Sequence, residues 1–251
     1  MKQIPNLFTL LNLVFGCLAI IFTLQNGITI VGDAQLVDIP EKIWMASLFI
    51  GLAAVIDFVD GFVARLFGST SEMGKQLDSL ADLVSFGVAP GIIIYQFLRL
   101  SFAQEPDGLD TAIAWLLPAL LLPCAAAWRL ARFNLDTTQS FSFKGLPVPA
   151  VGIFVASFPL LYWNAEQEWV RTLLLNHWFL YAVVLALSFL MVSRLPLMSL
   201  KFKNYGWQSN WPKYTLAVIS IAALIFLQWM AIPVIVLVYV LLSLLLKNQT
   251  A

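Results

Sequence analysis

Apolar runs long enough to cross a bilayer recur along almost the whole chain. Eight candidate spans can be marked: Leu7–Leu24, Ile43–Leu66, Leu77–Leu98, Ala112–Phe133, Val148–Trp163, Leu173–Val192, Tyr214–Gln228 and Met230–Leu246. A hydrocarbon core about 30 Å thick takes roughly 20 helical residues, whereas barrel strands alternate every second residue over about ten. The runs therefore predict an all-α, polytopic integral membrane protein. Of the 251 residues, 61% are hydrophobic and 11% charged, with a mean hydropathy of +0.87. A soluble domain of this size cannot hide so much apolar surface. The last two runs are nearly continuous. As one helix, Tyr214–Leu246 would be about 50 Å long, so two helices with a turn near Gln228–Trp229 fit better.

The charges between the runs set an orientation. With the N-terminus inside, the inner segments hold Lys2, Arg65, Lys75, Arg129, Arg132, Lys144, Arg194, Lys201, Lys203, Lys213 and Lys247. The outer ones hold Lys42, Arg99 and Arg171. Eleven against three of the fourteen cations places both termini in the cytoplasm. The first run is as long as a full span and lacks a small-residue cleavage site, so it reads as an anchor and not a removed leader. Zero formal net charge gives no reason to expect a nucleic-acid partner. No internal repeat is visible. Cys17 and Cys124 lie far apart within apolar runs and read as packing residues. His177, the only histidine, falls near the outer end of the sixth run, where a structural role is expected. The stretch Arg194–Tyr214 mixes Lys, Trp and Tyr and reads as an interfacial segment in contact with membrane lipid.

Four carboxylates break the apolar pattern at the inner ends of the second and third runs. In "AAVIDFVDGFVARLFG", Asp57 and Asp60 are three apart; in "GKQLDSLADLVSFG", Asp78 and Asp82 are four apart. Each pair shares one helix face, and the short link between the runs lets the faces meet. Two like charges about 4 Å apart repel by about 4 kcal/mol at an effective dielectric near 20. Such a cluster must take up protons or bind cations. All-oxygen ligands suit hard divalent ions such as Mg²⁺, Mn²⁺ or Ca²⁺, and a pair of ions is a recurring device for phosphoryl displacement. Gly61, Ala64 and Gly74 are small enough to admit a ligand, and Arg65 supplies a planar fork suited to phosphate.

The spacing Asp57-x2-Asp60-Gly61-x2-Ala64-Arg65-x8-Gly74-x3-Asp78-x3-Asp82 matches the signature of the CDP-alcohol phosphatidyltransferases at every fixed position. The chain resembles that family, and within it the membrane-embedded branch whose acceptor is L-serine. "IPNLFTLLNL" at Ile4–Leu13, "RLARFN" at Arg129–Asn134 and "FKGLPVPA" at Phe143–Ala150 carry the closer likeness. The resemblance implies a six-helix catalytic core, commonly dimeric. It implies transfer of the phosphatidyl group from CDP-diacylglycerol to serine, giving phosphatidylserine and CMP. It also implies a Mg²⁺ or Mn²⁺ pair on Asp57, Asp60, Asp78 and Asp82, with Asp82 as general base. Gly61, Ala64, Arg65 and Gly74 are then expected to cradle the CDP moiety, with Asn6 and Thr9 in reach of it. Arg129, Arg132, Asn134 and Lys144 are candidates for the serine carboxylate or the lipid phosphate. Residues 1–200 are expected to form the catalytic membrane domain, and 201–251 an interfacial link with a C-terminal hairpin. The expected location is the inner cell membrane. Two other readings stay open: a sister transferase acting on glycerol 3-phosphate, inositol phosphate or choline, and a cation transporter with intramembrane carboxylates.

Overall fold

A computed structural model describes residues 4–25, 42–66, 71–106, 108–135, 143–198 and 206–245. Ten helices follow in order among the described residues: α1 Ile4–Leu24, α2 Ile43–Leu66, α3 Glu72–Asp82, α4 Ala89–Phe102, α5 Leu121–Leu135, α6 Val148–Asn164, α7 Glu168–Leu174, α8 His177–Val192, α9 Trp207–Leu227 and α10 Ala231–Leu245. A π-helical turn, Leu83–Val88, joins α3 to α4. Two short strands, β1 (Phe143–Lys144) and β2 (Pro196–Leu197), pair antiparallel.

The chain is a helical membrane protein. Four stretches are long and apolar enough to cross a bilayer: Asn6–Leu24, Ile43–Val63, Glu72–Phe102 and Asn210–Leu245. The pair α7–α8, bent by 67°, makes a fifth. Side chains such as Phe58, Phe189, Ile225 and Phe226 stand more than two-thirds exposed on these helices, as a lipid-facing surface requires.

Three expected spans differ from the structure, each for a local reason. Ala112–Phe133 is not one helix. Tight 3₁₀ turns at Ile113–Trp115 and Leu117–Leu120 precede α5, since Pro118 and Pro123 each lack the N–H that a regular helix uses beyond its first turn. Leu173–Val192 breaks after Leu174, and Asn176 caps the new helix by accepting from the Phe179 N–H at 3.0 Å. The third run starts earlier than Leu77: Ser71 accepts from the Gly74 N–H at 3.0 Å and opens α3 at Glu72. The 31 residues from Glu72 to Phe102 are about 46 Å long, so polar α3 extends beyond a 30 Å hydrocarbon layer. The turn near Gln228 falls where the sequence places it. Gln228 has φ 48°, which no helix accommodates, and α9 and α10 pack against one another across it. Of the interfacial stretch, 199–205 lies outside the described residues; α9 begins at Trp207, whose ring stacks on Tyr214 at 5.1 Å.

The π turn sits at the centre, against α1, α5 and α6. Lipid tails are as apolar as leucine, so helices here associate through close packing and interhelical hydrogen bonds, each worth about 0.6 kcal/mol. Gly16 of α1 lies in close contact with the π turn. A Cβ there would collide with the Ser85 side chain and lie 2.8 Å from its Cα. Beside it, Ser85 donates to the Asn12 carbonyl at 3.0 Å. Gly16→Ala is therefore expected to destabilise the protein by about 1–3 kcal/mol, the range for overpacking a tight contact. Thermal unfolding in detergent checks this; an unchanged midpoint contradicts it.

The two ends of the bundle have different chemistry. At one, Gln96 donates to the Thr23 carbonyl at 3.0 Å, and Tyr181 to that of Trp115 at 2.6 Å. There His177 stacks on Phe102 at 4.8 Å and lies 3.6 Å from Glu105. It serves the packing of helix ends, as its position in the sequence suggests. At the other end meet the start of α1, the end of α2, the start of α3, and the ends of α5 and α8.

Candidate active site

Asp57 and Asp60 come from the last turns of α2, and Asp78 and Asp82 from α3. One carboxylate oxygen each from Asp57, Asp60 and Asp78 lies within 4.8 Å of the others. At that separation each ionised pair repels by about 3.5 kcal/mol at an effective dielectric near 20. Among the described residues no cationic side chain forms an ion pair with them. The cluster thus offers oxygen ligands, converging geometry and negative charge, which is what a hard divalent ion requires.

Asp82 stands apart from this compact trio. It is 8% exposed, and its charge interacts with those of Asp57 and Asp78. Asn12 of α1 holds it, donating from Nδ2 to Asp82 Oδ1 at 3.2 Å. Thr9, one turn earlier, donates to Asp60 Oδ2 at 2.8 Å. Asn6 is one turn earlier again, and its Oδ1 is 3.1 Å from where a Cβ on Gly74 would stand. The polar stripe Asn6-x2-Thr9-x2-Asn12 thus runs down one face of an apolar helix and meets all three parts of the signature. Asn12 was not singled out from the sequence, although this spacing is its signal. Asn12 Oδ1 is buried without a partner. Gly61 lies beside Asp60 on α2. Ala64 and Arg65 continue that helix, and their side chains lie outside the described residues.

The second group of expected residues divides. Arg132 donates to the Val192 carbonyl at 2.7 Å and so ties up the end of α8. Asn134 donates to Ser79 Oγ at 2.8 Å, and its own carbonyl accepts from Lys75 Nζ at 3.0 Å. Both act as braces between helix ends, and Asn134 Oδ1 is, like Asn12 Oδ1, buried without a partner. Arg129 differs: it is 8% exposed, its Nη2 reaches the Gly145 carbonyl at only 3.4 Å, and its Nε is buried without a partner. Its charge interacts with Asp82. The side chain of Lys144 lies outside the described residues.

Fold and site together define a membrane-embedded protein with a polyacidic, cation-ready centre at one end of its helix bundle. A sequence profile described as CDP-alcohol phosphatidyltransferase matches residues 2–189, a stretch that contains every residue of this centre. The chain belongs to the CDP-alcohol phosphatidyltransferase family. Members are generally dependent on divalent metal, and the three-aspartate cluster suits one.

Relatives bearing the name CDP-diacylglycerol–serine O-phosphatidyltransferase include a Mycobacterium leprae protein, 31% identical over 249 residues, covering 95% of this chain and 72% of that protein. A Helicobacter pylori protein of the same name is 35% identical over 159 residues, covering 62% of this chain and 57% of that one. A Bacillus subtilis protein so named is 31% identical over 162 residues, covering 64% and 78%.

Proposed function

We propose that this chain transfers the phosphatidyl group of CDP-diacylglycerol to the hydroxyl of L-serine, giving phosphatidylserine and CMP. The observation that carries the reading is the convergence of Asp57, Asp60 and Asp78 beside a buried, Asn12-held Asp82. The serine acceptor rests on the names of the relatives above.

In this reading Asp57, Asp60 and Asp78, with Asp82 at their edge, hold a pair of Mg²⁺ or Mn²⁺ ions. When bound, these neutralise the donor's pyrophosphate and the charge that develops during transfer. Asn12 keeps Asp82 aimed. Asp82 accepts the proton of the serine hydroxyl, the hydroxyl oxygen attacks the phosphorus bearing the lipid, the bond to CMP breaks, and CMP leaves. Gly61, Ala64, Arg65, Gly74 and Asn6 border the CDP moiety, while Thr9 orients Asp60. Arg129 takes the serine carboxylate: it is buried, and its Nε is without a partner, so an incoming carboxylate satisfies it.

The same reading has eight crossings in an inner cell membrane, with both termini and the site on the cytoplasmic side. There a donor with acyl tails and a water-soluble acceptor can meet. Residues 1–200 form the catalytic domain, 201–251 the link and hairpin, and the working unit is a homodimer by family likeness.

The test is CMP release by purified protein in detergent with CDP-diacylglycerol and Mg²⁺ or Mn²⁺. L-serine, glycerol 3-phosphate, inositol phosphate and choline are compared, each with an EDTA control. Release with serine alone, lost in EDTA, is expected. Release with another alcohol overturns the acceptor. No release with any, together with metal flux in vesicles, overturns the reaction in favour of transport.

A further inference from the structure

We propose that Tyr239, on the C-terminal helix, is a positioning residue that sets Arg129 for the carboxylate of the acceptor; this rests on the acceptor reading above. Arg129 is buried, yet its one hydrogen bond to protein among the described residues is the long contact to the Gly145 carbonyl. A guanidinium so placed needs its surroundings to fix it, because it has five donors and few local acceptors.

Gly145 is held in turn by its own neighbourhood. Its φ of +80° suits glycine alone, and a Cβ there would lie 2.7 Å from the carbonyls of Met191 and Ser193. Its N–H bonds the Leu195 carbonyl at 2.9 Å, and the Leu146 N–H that of Leu190 at 3.0 Å. Just before it, β1 pairs with β2, Lys144 opposite Pro196.

Tyr239 closes the ring. It is 7% exposed, and its Oη donates to the carbonyl of Met198, next after β2, at 3.0 Å. Tyr239 is a neighbour of Arg129. One side chain of α10 therefore pins the strand pair that leads into Gly145, whose carbonyl accepts from Arg129. Because α10 lies beyond residues 2–189, which the family profile matches, this gives the C-terminal hairpin a part in acceptor binding.

The experiment uses the full-length protein in detergent with saturating metal, and compares wild type, Tyr239→Phe and Val240→Ala. Val240 is buried next to Tyr239 on α10, so truncating it loosens the hairpin without touching the phenol. Tyr239→Phe is expected to raise KM for L-serine about tenfold, with kcat and KM for CDP-diacylglycerol within about twofold. Val240→Ala is expected to lower the unfolding temperature and leave KM for serine unchanged. The proposal is overturned if Tyr239→Phe leaves KM for serine within about twofold, raises both KM values alike, or is matched by Val240→Ala. Failure of the acceptor reading shows differently, as wild-type protein that releases no CMP with serine.

Discussion

Asp82→Asn is expected to lower metal-dependent CMP release by about a thousandfold while the protein stays folded and still binds metal. A positioned general base contributes about a hundred- to ten-thousandfold, and the asparagine amide cannot take up a proton. The substitution is close to isosteric, and the Oδ1 that accepts from Asn12 at 3.2 Å remains an acceptor, so the contact between α1 and α3 survives. It also removes one negative charge beside Asp57 and Asp78, which relieves repulsion, while Arg129 loses one attraction. Asp57, Asp60 and Asp78 keep their oxygens within 4.8 Å. Two measurements on one preparation check this: the initial rate of CMP release and the rise in unfolding temperature on adding metal. A rate within tenfold of wild type removes Asp82 from the role of base. Complete loss of the metal-induced rise makes it a principal ligand of the cluster and not an edge ligand that serves as base.

The catalytic end of the molecule was more legible in the sequence than the joints between helices. Asp57 and Asp60 share a face as their three-residue spacing predicts, because that spacing is set by the helix itself; that Asp78 of α3 joins them while Asp82 stands apart is a tertiary relation. The turn at Gln228 could be read because a single helix would outrun the bilayer. The break after Leu174 and the 3₁₀ turns before Leu121 could not, since hydropathy reports burial in lipid and not the continuity of a helix. The π turn after Asp82 has no local sequence mark. It accompanies the crowding of α1, α5 and α6 around Ser85 and Phe86, a relation between distant residues. Arg132 and Asn134 show the same limit. From the sequence both are polar groups near a reactive end. In the structure Arg132 meets a carbonyl 60 positions away, and Asn134 meets a hydroxyl 55 positions away. Asn12 is legible in principle, as the third member of the stripe that begins with Asn6 and Thr9.

Removing one ligand of the cluster is expected to separate its two energetic consequences. In metal-free wild-type protein Asp57, Asp60 and Asp78 repel one another, so Asp57→Asn is expected to raise the unfolding temperature of the metal-free form. Divalent metal is expected to stabilise the wild type by mass action, by about 2.7 kcal/mol at a hundred times the dissociation constant. With one of three converging oxygens replaced by a neutral amide, that gain is expected to shrink to near zero at the same concentration. CMP release is expected to fall at least about a hundredfold, since charge neutralisation at the reacting phosphate is the main electrostatic device this site offers. Asp57→Asn therefore has opposite signs in the two conditions: more stable than wild type in EDTA, less stable in Mg²⁺ or Mn²⁺. A residue that merely packs α2 against α3 would lower stability in both. Unfolding temperatures of the two proteins, each with EDTA and with metal, decide between these. A variant less stable than wild type in EDTA, or one whose metal-induced rise is intact, shows that the carboxylates are held together by something other than a cation.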